Sequence, residues 1–445
     1  MPHDCRTRIH DLSTYCDGSL TSDHRTLAAV SDLSSYSWRA ALMDGTVVVN
    51  DHPTRELYHR YLFGLGIGAT ELIGVNGANL FRGILDGWPI CAQFAKRIER
   101  GEEVEVFTDC EEAEHFIHAF GIPDRQMRST RRHVTATLGD KEHLRRLGGT
   151  LGLADAFPEH QFVRGQEPIT AACFDILDRY GRVIVKRPDL ASGVGCQNFT
   201  RGEIGGDRFT AFVREFGCDG RDMVVEEWVE GDEDDPMVDY SVQYHVSAEG
   251  EVGQIFLSGQ YIEDDQVTHA GNFISSQSED CLPAEWTPAE RAEVAGKMFS
   301  MTRPFALWAR DQGTDGIGRI GFDLKVNRRR AVVLESNCRQ TAATYPESVR
   351  FQLVRSGRCR SAAVAMRNIR PANVHGWQAL PARLGSLAFD PATCRGVIVG
   401  NPLCMEGEHP KFAAVCVGHG LAEAQAILRE TQQFLQGSRV SAAAK

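Results

Sequence analysis

Short apolar runs of strand length alternate along this chain with stretches whose apolar residues recur three and four apart, the spacing of one helical face. Between residues 40 and 125 the runs TVVVN (46–50), ELIGV (71–75) and EVEVFT (103–108) are separated by PTRELYHRYL and CEEAEHFIHAF, which predicts a small α/β unit. The glycines of GLGIG (64–68) follow a helical stretch and precede a strand, the reverse of the order in which a glycine loop takes a dinucleotide phosphate. They are therefore not read as a nucleotide site.

A helix is predicted from GDKEHLRRLGGTLGL, with Asp140 as its N-cap, followed by the strand and loop GRVIVKRPDLASGVGCQNF. Further on, the pattern predicts a strand pair around MVVEEWVEG and DYSVQYHVS, a helix over 287–311, and the hairpin IGRIGFDLKVNRRRAVVLESN. From about 350 a helix, the connectors RPANVHGW and LPARLG, two strands near 395–417 and the closing helix AEAQAILRETQQFL predict a separate C-terminal module. No internal repeat or long low-complexity tract is present, and the terminal SAAAK is expected to fray.

The hairpin carries the first chemistry. Glu335, Asn337 and Arg339 occupy every second position, so one strand face projects a carboxylate, an amide and a guanidinium. A three-residue loop at Arg328–Arg330 would set Asp323 opposite Glu335 and leave Phe322, Leu324, Val326, Val332 and Leu334 on the other face. Two unpaired carboxylates about 4 Å apart repel by roughly 4 kcal/mol at an effective dielectric near 20, a cost that a divalent cation removes. Oxygen donors without His or thiolate suit Mg2+ or Mn2+. Taken alone, the hairpin is read equally well as a solvated one whose carboxylates are neutralised by Lys325 and Arg339.

Two further stretches add to it. Lys186 ends a short apolar strand just before the ASGVGC loop, an ammonium beside backbone N–H groups that can hold polyphosphate. In MVVEEWVEG the backbone can read a base edge, with Glu226 accepting from an exocyclic amine and Glu233 or Asp239 taking sugar hydroxyls. Each of these, on its own, is also what an ordinary strand end or solvated strand edge looks like.

Composition narrows the classes. With 445 residues, 42% of them hydrophobic, the chain has material for two to four domains. A net charge of -12 and scattered arginine clusters at 128–132, 145–146 and 328–330, read as solvated surface, argue against a nucleic-acid partner. The 13 cysteines form no CxxC or zinc-type array, which favours reduced thiols in a cytoplasm over a disulfide framework. The start of the sequence has no apolar signal core and no long apolar run follows, so neither secretion nor a membrane association is expected.

Taken in order, these motifs resemble the ATP-grasp superfamily: the "DK" helix, the "VIVK" strand with its glycine loop, "VVEEWVEG", "GFDLKV" and "LESNCR" span about residues 136–345. The resemblance implies an α/β (α+β) ATP-grasp fold, with an N-terminal α/β pre-ATP-grasp domain (1–135), a nucleotide-binding and catalytic region (136–350) with a lid at about 150–230, and the C-terminal module (351–445). Carried over residue by residue, Lys141 and Lys186 match the lysines on the nucleotide phosphates, with Ser192, Gly193 and Gly195 in the covering loop. Glu226, Glu227 and Val229 match the adenine-reading segment, and Glu233 or Asp239 the ribose acid. Asp323, Glu335 and Asn337 match the ligands of Mg2+ (or Mn2+). Arg339 matches an arginine that steadies the reacting carboxyl or phosphoryl group, so Arg339 and Lys186 are the catalytic candidates.

The superfamily resemblance implies a ligase that phosphorylates a carboxylate with ATP and lets an amine attack the acyl phosphate. Fainter similarity of the flanks, including ESNCRQTAATYPES, is to the group of pheganomycin-type peptide ligases and butirosin-type ligases that load glutamate onto a carrier protein. The expected partners are a small-molecule acid and amine, with an acyl-carrier protein as the alternative acceptor, and by analogy a second copy of the chain. A non-catalytic ATP-binding scaffold is disfavoured because every key residue is present, and a biotin-carboxylase-like role because nothing resembles a biotin-attachment segment. His269 and Thr341 are substrate candidates, although a loop histidine and a plain helix start with Thr344 and Tyr345 are the simpler readings. Cys196 and Cys338 are expected to pack rather than react.

Overall fold

The computed structural model describes residues 6–12, 35–77, 79–108, 110–188, 195–217, 222–246, 250–263, 268–312, 319–407 and 410–436. Ser192 and Gly193 lie outside them. An N-terminal sheet is built from β1 (Arg6–Ile9), β2 (Thr46–Asn50), β3 (Glu71–Val75) and β4 (Glu103–Val106) in the order β3-β2-β1-β4, every pair parallel. Strand β1 escapes the hydrophobic pattern because Arg6 and Arg8 occupy alternate positions. Their register partners are Glu103 and Glu105, and the ion pairs Arg6–Glu103 (3.2 Å) and Arg8–Glu105 (3.1 Å) neutralise what the sequence reads as polar. Chain order reverses on the two sides of β1, so the carboxyl ends of β1 and β4 open a crevice of the kind that binds ligands in doubly wound sheets.

A second, small antiparallel sheet contains β5 (His160–Val163), β6 (Val183–Lys186), β7 (Cys196–Phe199) and β8 (Met223–Glu227), in the order β5-β8-β6-β7. Val183, Val185 and Val225 pack on helices Gln166–Tyr180 and Asp207–Phe216 in a core of their own. Strand alternation then sends Ile184, Lys186 and Glu226 out of the opposite face. The predicted pairing of MVVEEWVEG with DYSVQYHVS does not occur, because the first is β8 of this sheet and the second lies in another.

That other sheet has eight strands: β9 (Val238–Val246), β10 (Val252–Ile262), β11 (His269–Ile274), β12 (Arg319–Val326), β13 (Ala331–Asn337), β14 (Ala363–Ile369), β15 (Gly396–Gly400) and β16 (Phe412–Gly418). Their order is β13-β12-β9-β10-β11-β14-β16-β15, antiparallel throughout. The stretch from 351 on, expected as a module of its own, adds three of these strands and shares the main core. Tyr244, Phe322 and Leu324 face helix Pro288–Asp311, which is capped by Thr287 and Glu290 and meets the sheet through Phe305 against Phe322.

The catalytic-type hairpin β12–β13 does set Asp323 opposite Glu335, but by a different route. Its loop is Asn327–Arg330, held by Asn327 Oδ1 accepting from the amides of Arg329 (3.0 Å) and Arg330 (2.7 Å), and the strands pair out of the expected register up to Leu324 opposite Val333. A β-bulge at Leu334 then restores the Asp323–Glu335 pair. In consequence Ala331 and Val333 take the core face, while Val332 lies opposite Lys325 and Leu334 turns to the cavity described below.

Two sequence expectations are corrected elsewhere. Cys359 and Cys394 are joined by a disulfide with Cα atoms 6.0 Å apart, so the thiols are not all reduced. The fold brings together two cysteines that no local spacing relates. Arg145 is buried rather than solvated. Among the described residues no helix is long and apolar enough to cross a membrane.

Glu105 is buried beneath Arg6, Arg8 and His10, and although burial opposes its ionisation, Arg8 and then His10 hold the carboxyl well below the usual range. Glu105→Ala should cost about 3–5 kcal/mol in urea unfolding by stranding buried cations, and Glu105→Gln less. In the native chain this stabilisation should be complete above roughly pH 5 and fall away as the pH drops through the depressed native value.

Candidate functional site

A cavity of about 440 Å³ lies between the small sheet and the front face of the eight-stranded sheet. Its roof is Ile184, Lys186, Cys196 and Glu226, and the connecting residues Trp228 and Val229 close one side. Its floor is the front of β9, β12 and β13, carrying Asp239, Ser241, Asp323, Lys325, Leu334, Glu335 and Asn337. Lys141 enters at the first position of helix Lys141–Thr150, which Asp140 caps by accepting from the amides of Glu142 (2.8 Å) and His143 (2.9 Å).

Cations and carboxylates interlock across it. The Glu226 carboxylate, fully buried, is 2.5 Å from Lys186 Nζ and also binds the Arg145 guanidinium, while Lys141 Nζ is 3.2 Å from Glu335 Oε2. Arg145 further donates to the carbonyls of Lys141 (2.9 Å) and of the bulge residue Leu334 (3.2 Å). Glu226, expected to face a base edge, instead bridges two cations because its strand points it at the helix below. Burial and then repulsion from Arg145 bring Lys186 down to about 7. Lys141 moves the other way, since attraction to Glu335 outweighs its burial.

Asp323 and Glu335 face each other across the hairpin, with Asn337 Nδ2 donating to Asp323 (2.8 Å) and Gln260 Nε2 doing so from β10 (3.0 Å). Burial, followed by the neighbouring Glu335 charge, raises the Asp323 carboxyl to about 7, whereas Lys141 and Lys186 hold Glu335 down against its burial. A carboxyl raised by a like charge at a water-accessible face is the setting a divalent cation relieves. Among the described residues no group of three or more His, Cys, Asp or Glu is placed to hold a metal ion. Two carboxylates and an amide fit a hard ion that keeps waters and shares phosphate oxygens, rather than one caged by protein.

The remaining candidates divide by position. Asp239 lines the cavity, 3.5 Å from Lys325, while Glu233 is exposed in the preceding turn. Val229 lines it as well, and the Glu227 carboxylate is taken up by Arg330. Gly195 opens β7 with φ +67, a left-handed backbone that favours glycine, and its carbonyl accepts from Arg187 N (2.7 Å). Cys338 is buried beside Ser336, but Cys196 faces the cavity opposite Lys186.

At the far end Arg339 lies over the Phe107 ring (5.8 Å), beside Thr341 and Tyr345. His269 begins a strand rather than sitting in a loop, and its Nε2 is 2.9 Å from Asn272 Oδ1. Burial first, then Arg39 and Arg339, lower it to about 4, so it is neutral at physiological pH. The sequence reading missed Leu12, Tyr36, Arg39, Phe107, Gln260, Asn272 and Asn368, all of which line the same cavity. They come from the N-terminal crevice and from strands β10, β11 and β14, and no motif links them.

No protein-family model matches the chain, and no curated protein matches it. Solved structures do. An ADP complex of PurK, N5-carboxyaminoimidazole ribonucleotide synthetase, superposes with a TM-score of 0.55 at 12% identity, over 97% of this chain and 96% of that one. Carboxyaminoimidazole ribonucleotide synthase from Aspergillus clavatus complexed with ATP gives 0.52 at 12%, over 89% and 99%. The Campylobacter jejuni biotin carboxylase–β,γ-ATP complex gives 0.51 at 12%, over 96% and 90%. The shared architecture is the ATP-grasp fold.

Lys186 supplies a pH test. A bound polyphosphate favours the ammonium, so a lysine near 7 in the free protein should take up a proton on binding. ADP affinity should hold steady below about pH 7 and weaken as the pH rises toward the ordinary lysine value of about 10.4. Titration calorimetry at pH 8 in buffers of different ionisation enthalpy should show the proton uptake, and Lys186→Met should abolish it.

Proposed function

We propose that this chain is an ATP-dependent carboxylate–amine ligase that forms an amide or peptide bond through an acyl phosphate and releases ADP and phosphate, in specialised (natural-product) metabolism. One observation carries the proposal: Lys141, Lys186, Asp323, Glu335, Asn337 and Arg339 converge on a single cavity between a small sheet and a large one. The bound nucleotides in the solved structures of the same fold support ATP as the energy source.

Ile184, Leu334 and Val229 form apolar walls for the base, whose edge meets the backbone at Glu227–Val229, and Asp239 takes the sugar end beside Lys325. Lys141 and Lys186 hold the phosphates, their carboxylate partners keeping them aimed before nucleotide arrives. Asp323, Glu335 and Asn337 would hold Mg2+, which supplies charge neutralisation between the phosphates when bound. Arg339 orients the substrate carboxylate, whose oxygen takes the terminal phosphoryl group as ADP departs. The amine nitrogen then bonds to the acyl carbon, phosphate leaves with the C–O electron pair, and the amine gives up a proton. Positioning and charge neutralisation suffice for both steps, so no nucleophilic Ser or Cys is required.

ADP and phosphate release with Mg-ATP, run over amino acids, dipeptides and a phosphopantetheinylated carrier protein with mass spectrometry of the products, tests the proposal. A new amide mass that depends on an acid and an amine is expected, and ATP binding without acid-dependent ADP release would overturn it. Glu335→Ala should lower turnover by about a hundredfold or more while ADP binding changes only a few-fold, whereas Lys186→Ala should weaken ADP binding itself. Unchanged turnover in Glu335→Ala would reject the assignment of the metal-binding face.

A further inference from the structure

We infer that the carboxylic acid substrate bears a second carboxylate, which sits on Arg39 while the reacting one lies at Arg339. The inference rests on the ligase reading of the same cavity and adds the chemical class of its acid. Arg39 belongs to the short 3-10 segment Ser37–Leu42, whose Trp38, Ala40, Ala41 and Leu42 are fully buried and whose Leu42 carbonyl accepts from Gln352 Nε2 (2.8 Å). The guanidinium is therefore carried on a fixed element. It lines the cavity at 9% exposure.

Its partners are what set it apart. Nη2 donates to Asn368 Oδ1 (2.9 Å), the Tyr36 ring lies 4.4 Å away, and Nε is buried with no acceptor. No carboxylate among the described residues pairs with it. Four other strongly buried cations of this region do have one: Arg8 has Glu105, Arg145 and Lys186 have Glu226, and Lys141 has Glu335. A guanidinium removed from water without a counter-ion is costly, and at those four positions a carboxylate offsets that cost.

A second orphan stands at the same end, the buried Thr341 Oγ1. His269, Asn272 and Asn368, which face this space beside Arg39, are neutral and offer it no anion. The free Nε–H side of one planar fork matches the two oxygens of a carboxylate in the plane of the ring-stacked guanidinium. A phosphate dianion would ask for more donors than one partly occupied fork offers. Dicarboxylic acids and acidic amino acids meet the requirement; simple monocarboxylic acids do not.

The test pairs dicarboxylic acids and acidic amino acids with their mono-amide or mono-methyl-ester counterparts and one phosphonate analogue. Acid-dependent ADP release and thermal shift of the ADP-loaded protein are both read, in the wild type, Arg39→Gln and Arg39→Lys. The dianionic acids should raise ADP release and the melting temperature, and Arg39→Gln should raise their KM roughly tenfold to a hundredfold. Arg39→Lys should fall between, and ADP affinity should be unchanged in both variants, which shows that they are folded. Equal use of the mono-amides by the wild type, no response to any dianionic acid, or an unchanged KM in Arg39→Gln would overturn the inference. A tighter phosphonate would overturn the carboxylate assignment. Dicarboxylate-dependent thermal shifts lost in Arg39→Gln, without ADP release from any acid, would uphold this inference while the ligase reading fails.

Discussion

The carboxylate of Glu226 is the point on which the site depends. It lies at the end of a strand in the small sheet, fully buried, and it binds Lys186 from the same sheet and Arg145 from the helix that rests on the large one. Remove it and two buried cations face each other across the boundary between the two bodies. With it in place the small sheet is seated over the large sheet, and Lys186 is delivered to the same space as Lys141. The bulge at Leu334 belongs to the same arrangement, since the carbonyl it turns out of the ladder accepts from Arg145. A single buried anion thus couples the small sheet, the Lys141–Thr150 helix and the β12–β13 hairpin.

Charge is graded along the cavity from that point. Beneath the small sheet each lysine lies beside a carboxylate that holds it in place. In the middle, Asp323 and Glu335 face each other with unlike proton affinities, which burial and their different distances from the lysines create. At the far end, Arg39 lacks an anion and the polar neighbours are neutral.

The N-terminal sheet has a part in this that its small size hides. Its strand order places the carboxyl ends of β1 and β4 at a switch point, and Leu12 and Phe107, which follow those strands, reach the cavity wall. The strands after residue 351 act from the other side: β14 runs beside β11 in the middle of the large sheet and contributes Asn368, the partner of Arg39. Three stretches distant in sequence therefore meet at the Arg39 end, while the Lys186 end is built almost wholly from residues 141–337.

That division accounts for what could be read from the sequence alone. The order of the Lys141 helix, the Lys186 strand, the acidic strand and the 319–337 hairpin is local chemistry set out along the chain, and it marked the fold and the carboxylates that pair across the hairpin. Period-two spacing put Glu335 and Asn337 on one face because strand geometry is a property of consecutive residues. Tertiary structure alone decided the rest. Strand β1 hides behind arginines whose glutamate partners lie far along the chain, and the hairpin register depends on a bulge whose freed carbonyl finds Arg145. Asp239 rather than Glu233 faces the cavity, since only Asp239 lies in the sheet, and Arg39 joins the site through a contact with a strand more than three hundred residues away. Spacing records which residues share an element; which elements share a cavity is set by packing and by the pairing of buried charges, and neither is written in any local stretch of the chain.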